Sequence, residues 1–253
     1  MGLIEFLYDE NELNEKRHII NGITVGTVTN IDDPEGLGRV KVKLIYRDTP
    51  DFETDFAPVL TSMMGNKWGS WFFPQVGDFV AVAFINGEIS KPVVIGSIWN
   101  KENAMPPFEI KDGKNDLRGI KTRSGHQLLF DDTQDKEKIK INTPKDTAIT
   151  LDDEKECVVI SDKTEKNIIK IDIKNKIIDV STDNKINVVS GNSKIEIDGE
   201  SNKITIESNN SVDIKANNIS LNSKNNIEIK ASSGINLSSQ GQINISGAVV
   251  NVK

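Results

Sequence analysis

The side chains of this chain best suited to chemistry are one histidine and three nearby aspartates. His126 stands a few residues before Asp131 and Asp132, and Asp135 follows them. An imidazole beside carboxylates could act in acid–base catalysis or bind a metal ion shared between subunits. However, no serine or cysteine is placed beside them as a nucleophile, and the aspartates lack the spacing of a calcium-binding loop. We therefore predict no catalytic residue, no cofactor and no metal site.

The single cysteine, Cys157, also argues against special chemistry. One cysteine excludes an internal disulfide framework and suggests synthesis in a reducing compartment. We interpret it as a small apolar residue that fills a strand position. The sequence has no apolar run of about 18 residues and no signal peptide, so neither membrane insertion nor Sec export is expected.

Composition divides the 253 residues into two parts. All aromatic residues lie at or before Phe130, and of the 8 prolines only Pro144 follows it. Aromatic side chains fill the core of a globular domain, whereas a narrow tube has no room for them. A globular domain followed by a fibrous region is therefore predicted.

Residues 22–100 have the pattern of a small closed barrel. Five segments such as RVKVKLIYR alternate apolar and polar residues, and turn clusters such as DDPEGLG separate them. Asn86–Gly87 is a hairpin signal between the last two segments. Five short strands joined by tight turns predict a barrel of the OB type.

An OB barrel can bind nucleic acid, and this one has residues that suit the role. Lys41, Lys43 and Arg47 on the second strand, with Trp68 and Trp71 in a loop, could form a charged stacking surface. The alternative is a solvated strand face, with the two tryptophans closing the barrel or an interface. The net charge of −7 argues against a nucleic-acid partner, because such proteins need a basic face.

The last third of the chain repeats an apolar–polar–apolar unit about every eight residues. Asn, Ser and Gly lie between the units and favour turns. Such alternation predicts very short strands, each with one buried face. The apolar pairs predicted to form the core include Ile195/Ile197, Ile204/Ile206, Ile227/Ile229 and Ile243/Ile245.

The shortness of these strands indicates an oligomer. In one chain both edges of each strand would lack hydrogen-bond partners, because a single-chain solenoid needs a longer coil. Three chains wound together would each supply one side per level and would bury the isoleucines on the axis. The predicted fold is therefore all-β: an OB-type barrel followed by an intertwined, triple-stranded β-helix in a homotrimer.

Three segments carry a resemblance to a known family: DDPEGLGRVKVKL, PQVGDFVAVAFINGEISKPVVIGSIWN and TRSGHQLLFDDTQDKEKIKI. They resemble the central spikes of contractile phage tails, of the baseplate assembly protein V type, together with VgrG proteins of type VI secretion and the spikes of phage-tail-like bacteriocins. The resemblance implies a non-enzymatic homotrimeric spike, made in the bacterial cytoplasm, assembled at the baseplate centre and driven through the target cell envelope. In that family the third segment is a neck, which implies a structural role for His126.

The chain also departs from this family. VgrG proteins carry a large hub domain, which residues 1–21 cannot hold, so a separate hub protein at the barrel end is expected. Residues 101–119 are too short for the lysozyme domain that some spikes carry. The His-x-His metal site that closes other spike tips is absent from the C-terminal sequence.

The predicted division is an N-terminal arm at 1–21, the barrel at 22–100, a connector at 101–119, and neck and needle at 120–253. At the needle end, Val249, Val250 and Val252 of three chains would form an uncovered apolar layer. We expect this layer to dock a PAAR-like tip protein. A trimeric receptor-binding tail fibre is the alternative, although such a fibre should end in an aromatic-rich head.

Overall fold

The computed structural model describes residues 20, 22–45, 52–108, 110 and 112–251. The predicted N-terminal arm, apart from Ile20, lies outside this part. The chain divides into two units, Met1–Ser181 and Thr182–Lys253. Helical structure in the described residues is limited to a 3-10 turn at Ile85–Gly87, and no helix there could cross a membrane.

Five strands of the first unit form a nearly closed barrel, in the order β3-β2-β1-β6-β7. They are β1 (Ile23–Asn30), β2 (Arg39–Leu44), β3 (Ala57–Pro58), β6 (Phe79–Phe84) and β7 (Pro92–Ser97). A parallel bridge between Val59 and Val94 joins the two outer strands, and the Leu60 N–H donates to the Val94 carbonyl at 2.8 Å. The predicted OB-type barrel is confirmed.

The barrel core consists mainly of small β-branched side chains on alternate strand positions. The most buried are Val28, Val40, Val42, Leu44, Val80, Val82 and Val94. Gly26 allows β1 and β2 to approach closely, because a Cβ there would lie 2.5 Å from the Lys43 carbonyl oxygen. Register irregularities at Val28/Asn30 and Ala81/Val82 bend the sheet toward closure.

The Asn86–Gly87 pair connects β6 to β7, as predicted. Both residues have left-handed backbones, with φ of 55° and 76°. Asparagine and glycine tolerate this region better than other residues do. The Ile85 N–H donates to the Lys91 carbonyl at 3.0 Å and closes the turn.

Between β3 and β6 the chain leaves the barrel as a small hairpin. β4 (Met64–Gly65) pairs with β5 (Trp68–Gly69), and Lys67 at the turn has a φ of 65°. Ser70 ties the base of the hairpin, since its Oγ lies 2.7 Å from the Thr61 Oγ1. We call residues 61–70 the tongue.

Seven five-residue strands follow the barrel and form one antiparallel sheet in chain order. They are β8 (Leu117–Lys121), β9 (Gln127–Asp131), β10 (Lys138–Asn142), β11 (Ala148–Asp152), β12 (Cys157–Ser161), β13 (Ile168–Asp172) and β14 (Ile177–Ser181). The loops repeatedly use one residue with positive φ, among them Asp135, Asp146 and Glu156. Cys157 is buried in its strand, as predicted.

The second unit contains an antiparallel sheet of three strands, β15 (Lys185–Ser190), β16 (Ser193–Asp198) and β17 (Lys203–Glu207). Residues 208–251, all of which the structure describes, form no strand. The assumption that each short strand lacks a partner in one chain is therefore wrong for residues 117–207. Short loops turn most strands back onto the preceding one. The intertwined β-helix is not confirmed and stays a prediction.

Candidate functional site

One face of the seven-stranded sheet consists almost entirely of apolar side chains. Residues directly opposite each other in antiparallel strands share a face, and so do residues two apart in one strand. By this register two apolar rows cross the sheet side by side: Ile120, Leu128, Ile141, Ile149, Ile160, Ile169 and Val180, then Phe130, Ile139, Leu151, Val158, Ile171 and Ile178. We call these two rows the apolar face.

The apolar face is much more exposed to water than the barrel core. Ile149 and Ile178 are 39% and 71% exposed, whereas Val40 and Val80 in the core are 0% exposed. Soluble monomers rarely leave so wide a contiguous apolar patch in water. The apolar face therefore has the character of a protein-interaction surface.

The opposite face of this sheet carries most of the charged side chains of its strands, mixed with apolar ones, and we call it the polar face. Several charges on it are paired within the chain. The Lys170 Nζ lies 2.9 Å from the Asp172 Oδ2, and the Lys138 Nζ lies 3.8 Å from the Asp152 Oδ2. The Asn175 N–H donates to Asp172 at 2.9 Å. The pKa of Asp172 is lowered to about 2, most strongly by this hydrogen bond and next by the Lys170 ammonium. These charged side chains already have partners within the chain, so they need no partner from another molecule.

The three-stranded sheet of the second unit repeats this arrangement. Its register places six apolar residues on one face: Ile186, Val188, Ile195, Ile197, Ile204 and Ile206. On the other face, Lys185 lies 3.1 Å from both Glu196 and Asp198, and Lys194 pairs with Glu196. The pKa of Asp198 is lowered to about 2, most strongly by a hydrogen bond from the Ser201 N–H and next by one from Lys185.

The predicted core and tip residues fall into three groups. Ile195, Ile197, Ile204 and Ile206 share the exposed apolar face of the three-stranded sheet. The second group is exposed and lies outside any sheet, and it comprises Ile227, Ile229, Ile243, Ile245, Val249 and Val250. Val252 lies outside the described residues. The roles of these residues in a trimer core and in tip docking stay predictions.

The structure separates His126 from the aspartates that follow it. His126 lies in the turn before β9, where its N–H donates to the Thr122 Oγ1 at 3.1 Å, whereas Asp131 ends that strand. Five residues of strand span about 16 Å, so the imidazole and the carboxylate do not meet in one chain. Asp131 instead accepts a hydrogen bond from the Thr133 Oγ1 at 2.5 Å. No group of three or more metal-binding side chains occurs among the described residues.

Residues considered for nucleic-acid binding make contacts within the protein. The Lys41 Nζ lies 3.6 Å from the Glu53 Oε2. Trp71 stacks on Phe73, with ring centres 4.8 Å apart. Arg47 lies outside the described residues. The described part of this surface is therefore not an open basic face.

An ion pair that was not predicted from the sequence lies inside the DDPEGLGR segment. The Asp33 side chain is 3% exposed and accepts hydrogen bonds from the Arg39 Nη2 at 2.7 Å and Nε at 3.0 Å. It also accepts the Leu37 N–H at 2.9 Å. The Arg39 guanidinium above all holds the pKa of Asp33 well below its usual range. This ion pair fixes the loop between β1 and β2. The sequence signal that could have predicted it is an aspartate and an arginine on either side of a Gly/Pro turn.

These observations define a class of protein: an all-β chain in which an OB-type barrel precedes antiparallel strands with an uncovered apolar face. Residues 24–99 match the family model of the type VI secretion system/phage-baseplate injector OB domain. The resemblance to baseplate spikes predicted from the sequence is thereby confirmed.

Several curated relatives are spike proteins. The chain is 27% identical over 138 residues to type VI secretion system spike protein VgrG3 of Vibrio cholerae, across 50% of this chain and 14% of that protein. It is 31% identical over 91 residues to spike protein VgrG1a of Pseudomonas aeruginosa, across 34% of this chain and 14% of that protein. It is 25% identical over 138 residues to the actin cross-linking toxin VgrG1 of Vibrio cholerae, across 50% of this chain and 12% of the toxin. The chain thus spans a small fraction of the length of these relatives.

Proposed function

We propose that this chain is the non-enzymatic, homotrimeric spike at the centre of a contractile injection system baseplate, in a phage tail, a bacteriocin or a type VI-like machine. The observation that carries the proposal is the uncovered apolar face that follows an injector-type OB barrel. Similarity to spike proteins of type VI secretion supports the same role.

Association of three copies would remove the apolar face from water. Side chains such as Ile160 and Ile171 each contribute roughly 1.5–3 kcal/mol when they are fully buried. They are 42% exposed in the single chain, so part of that free energy is left for assembly. Three sheets around one axis would bury their apolar faces against each other. The paired charges of the polar faces would remain in water.

The distal residues would complete the needle by pairing between chains. Residues 208–251 form no strand in the single chain, and backbone groups need hydrogen-bond partners once water is excluded. Ile227, Ile229, Ile243 and Ile245 would then continue the apolar axis below Ile206. Interwound chains resist axial force, because freeing one chain breaks many strand pairings at once.

The partners follow from the two ends of this spike. A separate hub protein would hold the barrel end, and a PAAR-like tip protein would cover Val249 and Val250, which are 76% and 51% exposed. Residues 231–251 contain no charged side chain, which lowers the cost of desolvation when the spike crosses the envelope.

Removal of residues 247–253 tests the tip contact. The shortened chain should no longer bind a PAAR-like protein, because the valine layer and the strand edges beside it are gone. A pull-down with the full chain as reference measures this. Unchanged binding would show that the tip protein docks elsewhere.

The copy number is the decisive measurement for the proposed function. Sedimentation equilibrium of the full chain should give three times the mass of the 28.0-kDa chain, and the species should resist detergent until it is heated. Two copies packed face to face would also cover the apolar face, so a dimer would contradict the spike. A stable folded monomer would contradict assembly altogether.

A further inference from the structure

A second uncovered apolar surface lies at one end of the barrel. Its nine large side chains are each more than half exposed: Leu37, Leu60, Met63, Met64, Trp68, Trp71, Phe72, Val76 and Trp99. We call this set the collar. Two of its tryptophans, Trp68 and Trp71, were predicted either to stack on nucleic acid or to close the barrel or an interface.

Strand directions place the collar at the barrel end from which the chain continues toward the seven-stranded sheet. The Val59–Val94 bridge is parallel, so the chain enters the tongue where β7 ends, and Trp99 follows that same strand end. Trp71 lies against the loop between β1 and β2, since a Cβ on Gly38 would be 3.6 Å from its ring. These contacts collect the collar residues at one end.

The size of the collar is that of a protein interface. Its four most exposed aromatic side chains, Trp68, Trp71, Phe72 and Trp99, are 62–75% exposed. An aromatic side chain buries about 150–250 Å², so these four present roughly 400–700 Å². Specific interfaces bury about 800 Å² per partner, and the largest patch on a monomer is about 300–600 Å². With its aliphatic members added, the collar exceeds what a monomer usually exposes.

The chemistry of the collar suits an apolar protein surface. Residues 57–76 contain one charged side chain, Lys67. A two-stranded hairpin as short as the tongue is marginally stable in water unless it packs against further structure. A nucleic-acid partner would find only Lys67 in this segment to pair with its phosphates, and such partners need a basic face.

The barrel end that carries the collar contacts the turn at the edge of the apolar face. The Arg123 guanidinium, in the turn between β8 and β9, donates a hydrogen bond to the Gln75 side chain, which follows the collar aromatics. The Asn103 Nδ2 donates to the Gly77 carbonyl at 3.3 Å and holds the connecting segment against the same barrel end. A copy of the chain that covers Ile120 and Leu128 would therefore also reach the collar.

From these observations we infer that the collar docks onto a second copy of this chain and clasps adjacent barrels of the assembly together. This inference rests on the proposed trimer, and it adds a contact between the barrel ends of neighbouring copies to the contact between their sheets. The sheet faces and the collars then act as two separate interfaces.

Site-specific photo-crosslinking in the full chain tests the collar contact. A photoreactive benzoylphenylalanine in place of Phe72 should join two chains and give a product of twice the 28.0-kDa mass. The matched control position is Ile23, which is 65% exposed but lies at the opposite end of the barrel. Mixed light and heavy isotope-labelled chains identify the product as a link between two copies.

Each outcome decides a different point. A monomer in sedimentation overturns the proposed function and this inference together. A trimer without an inter-chain link from position 72, or with equal linking from position 23, overturns the collar contact alone. So does linking to a co-purified different protein. As a second measurement, Trp68→Ser with Phe72→Ser should lower the temperature at which the trimer dissociates, whereas Ile23→Ser should not.

Discussion

At the scale of single residues, the carboxylate of Asp33 organises the loop between the first two barrel strands. Asp33 gathers the Arg39 guanidinium and backbone N–H groups of its own loop, so one side chain fixes the chain between β1 and β2. Charge-assisted, bidentate hydrogen bonds of this kind are stronger and more directional than neutral ones. The same loop supports Trp71 of the collar through Gly38, which links this residue to the proposed contact between barrels.

Asp33→Asn is expected to lower the melting temperature of the barrel, because an amide cannot accept both guanidinium hydrogen bonds as a carboxylate does. Thermal unfolding followed by tryptophan fluorescence measures the change. Glu35→Gln is the matched control, since Glu35 is 64% exposed and contacts Arg39 at 3.2 Å from the loop surface. Equal effects of the two variants would contradict a special role for Asp33.

Asp172 should contribute to the pH dependence of the seven-stranded sheet. Its pKa is lowered from 3.8 to about 2 in the folded chain, so folding favours its ionised form. The resulting stabilisation is complete above the unfolded value and is lost as the pH falls from 3.8 toward 2.

Asp172→Asn should therefore lower the melting temperature at pH 6, and its difference from the parent chain should shrink near pH 2. Circular dichroism at the two pH values measures this. Asp213→Asn, at an exposed position outside the sheets, serves as the control. A difference that stays the same at both pH values would contradict the assignment.

At the scale of elements, alternation in the sequence predicts which residues share a face but not which strand lies beside which. The barrel strands and the face shared by Ile195, Ile197, Ile204 and Ile206 were predictable, because side chains in a strand alternate with a period of two. Pairing within one chain, by contrast, depends on loops that can reverse the chain. Several of their left-handed residues, such as Glu156, Glu165 and Lys176, are of types that give a weak turn signal.

The tongue and the apolar face also could not be predicted fully from alternation in the sequence. Met64–Gly65 and Trp68–Gly69 are too short for any strand pattern, although they pair in a hairpin whose base Ser70 holds by hydrogen bonds. The apolar pairs between Ile120 and Val180 follow the same rule as the later repeats. They were not among the predicted core residues, because the predicted core was placed on the later repeats.

Ile149→Asp is the sharpest test of the apolar face. The side chain is 39% exposed in the single chain, so a carboxylate there leaves the sheet itself folded. In an assembled trimer it would be buried without a partner, at a cost of several kcal/mol for each ion. The variant should sediment as a monomer with an unchanged β-sheet circular dichroism spectrum.

Thr150→Asp is the matched control, because the neighbouring residue points to the opposite face and lies across from Lys140. This variant should remain a trimer. If both variants dissociated, or neither did, the choice of the apolar face as the assembly surface would be wrong.

At the scale of the whole molecule, most of the large apolar side chains that the structure describes outside the barrel core are exposed. The collar, the apolar face and the isoleucines of the three-stranded sheet all stay in contact with water, while charges on the opposite faces are paired. A chain with this distribution has a folded barrel of its own but completes the burial of its remaining apolar side chains only in an assembly. Residues 208–251 should depend most on assembly, because they form no strand in the single chain.

Hydrogen exchange on the full-length assembly should reveal that dependence in residues 208–251. If these residues pair between chains, their amides should exchange orders of magnitude more slowly than in an unstructured peptide, as slowly as those of β16 and β17. Ile149→Asp supplies the matched reference: in that monomer the amides of β16 and β17 should stay protected through pairing in the same chain, while those of 208–251 should exchange at unprotected rates. Fast exchange of 208–251 in an intact trimer would contradict the interwound needle while leaving the packed sheets and the collar in place. Slow exchange in the monomeric variant would mean that this segment folds within one chain, and the needle would then be three separate solenoids side by side.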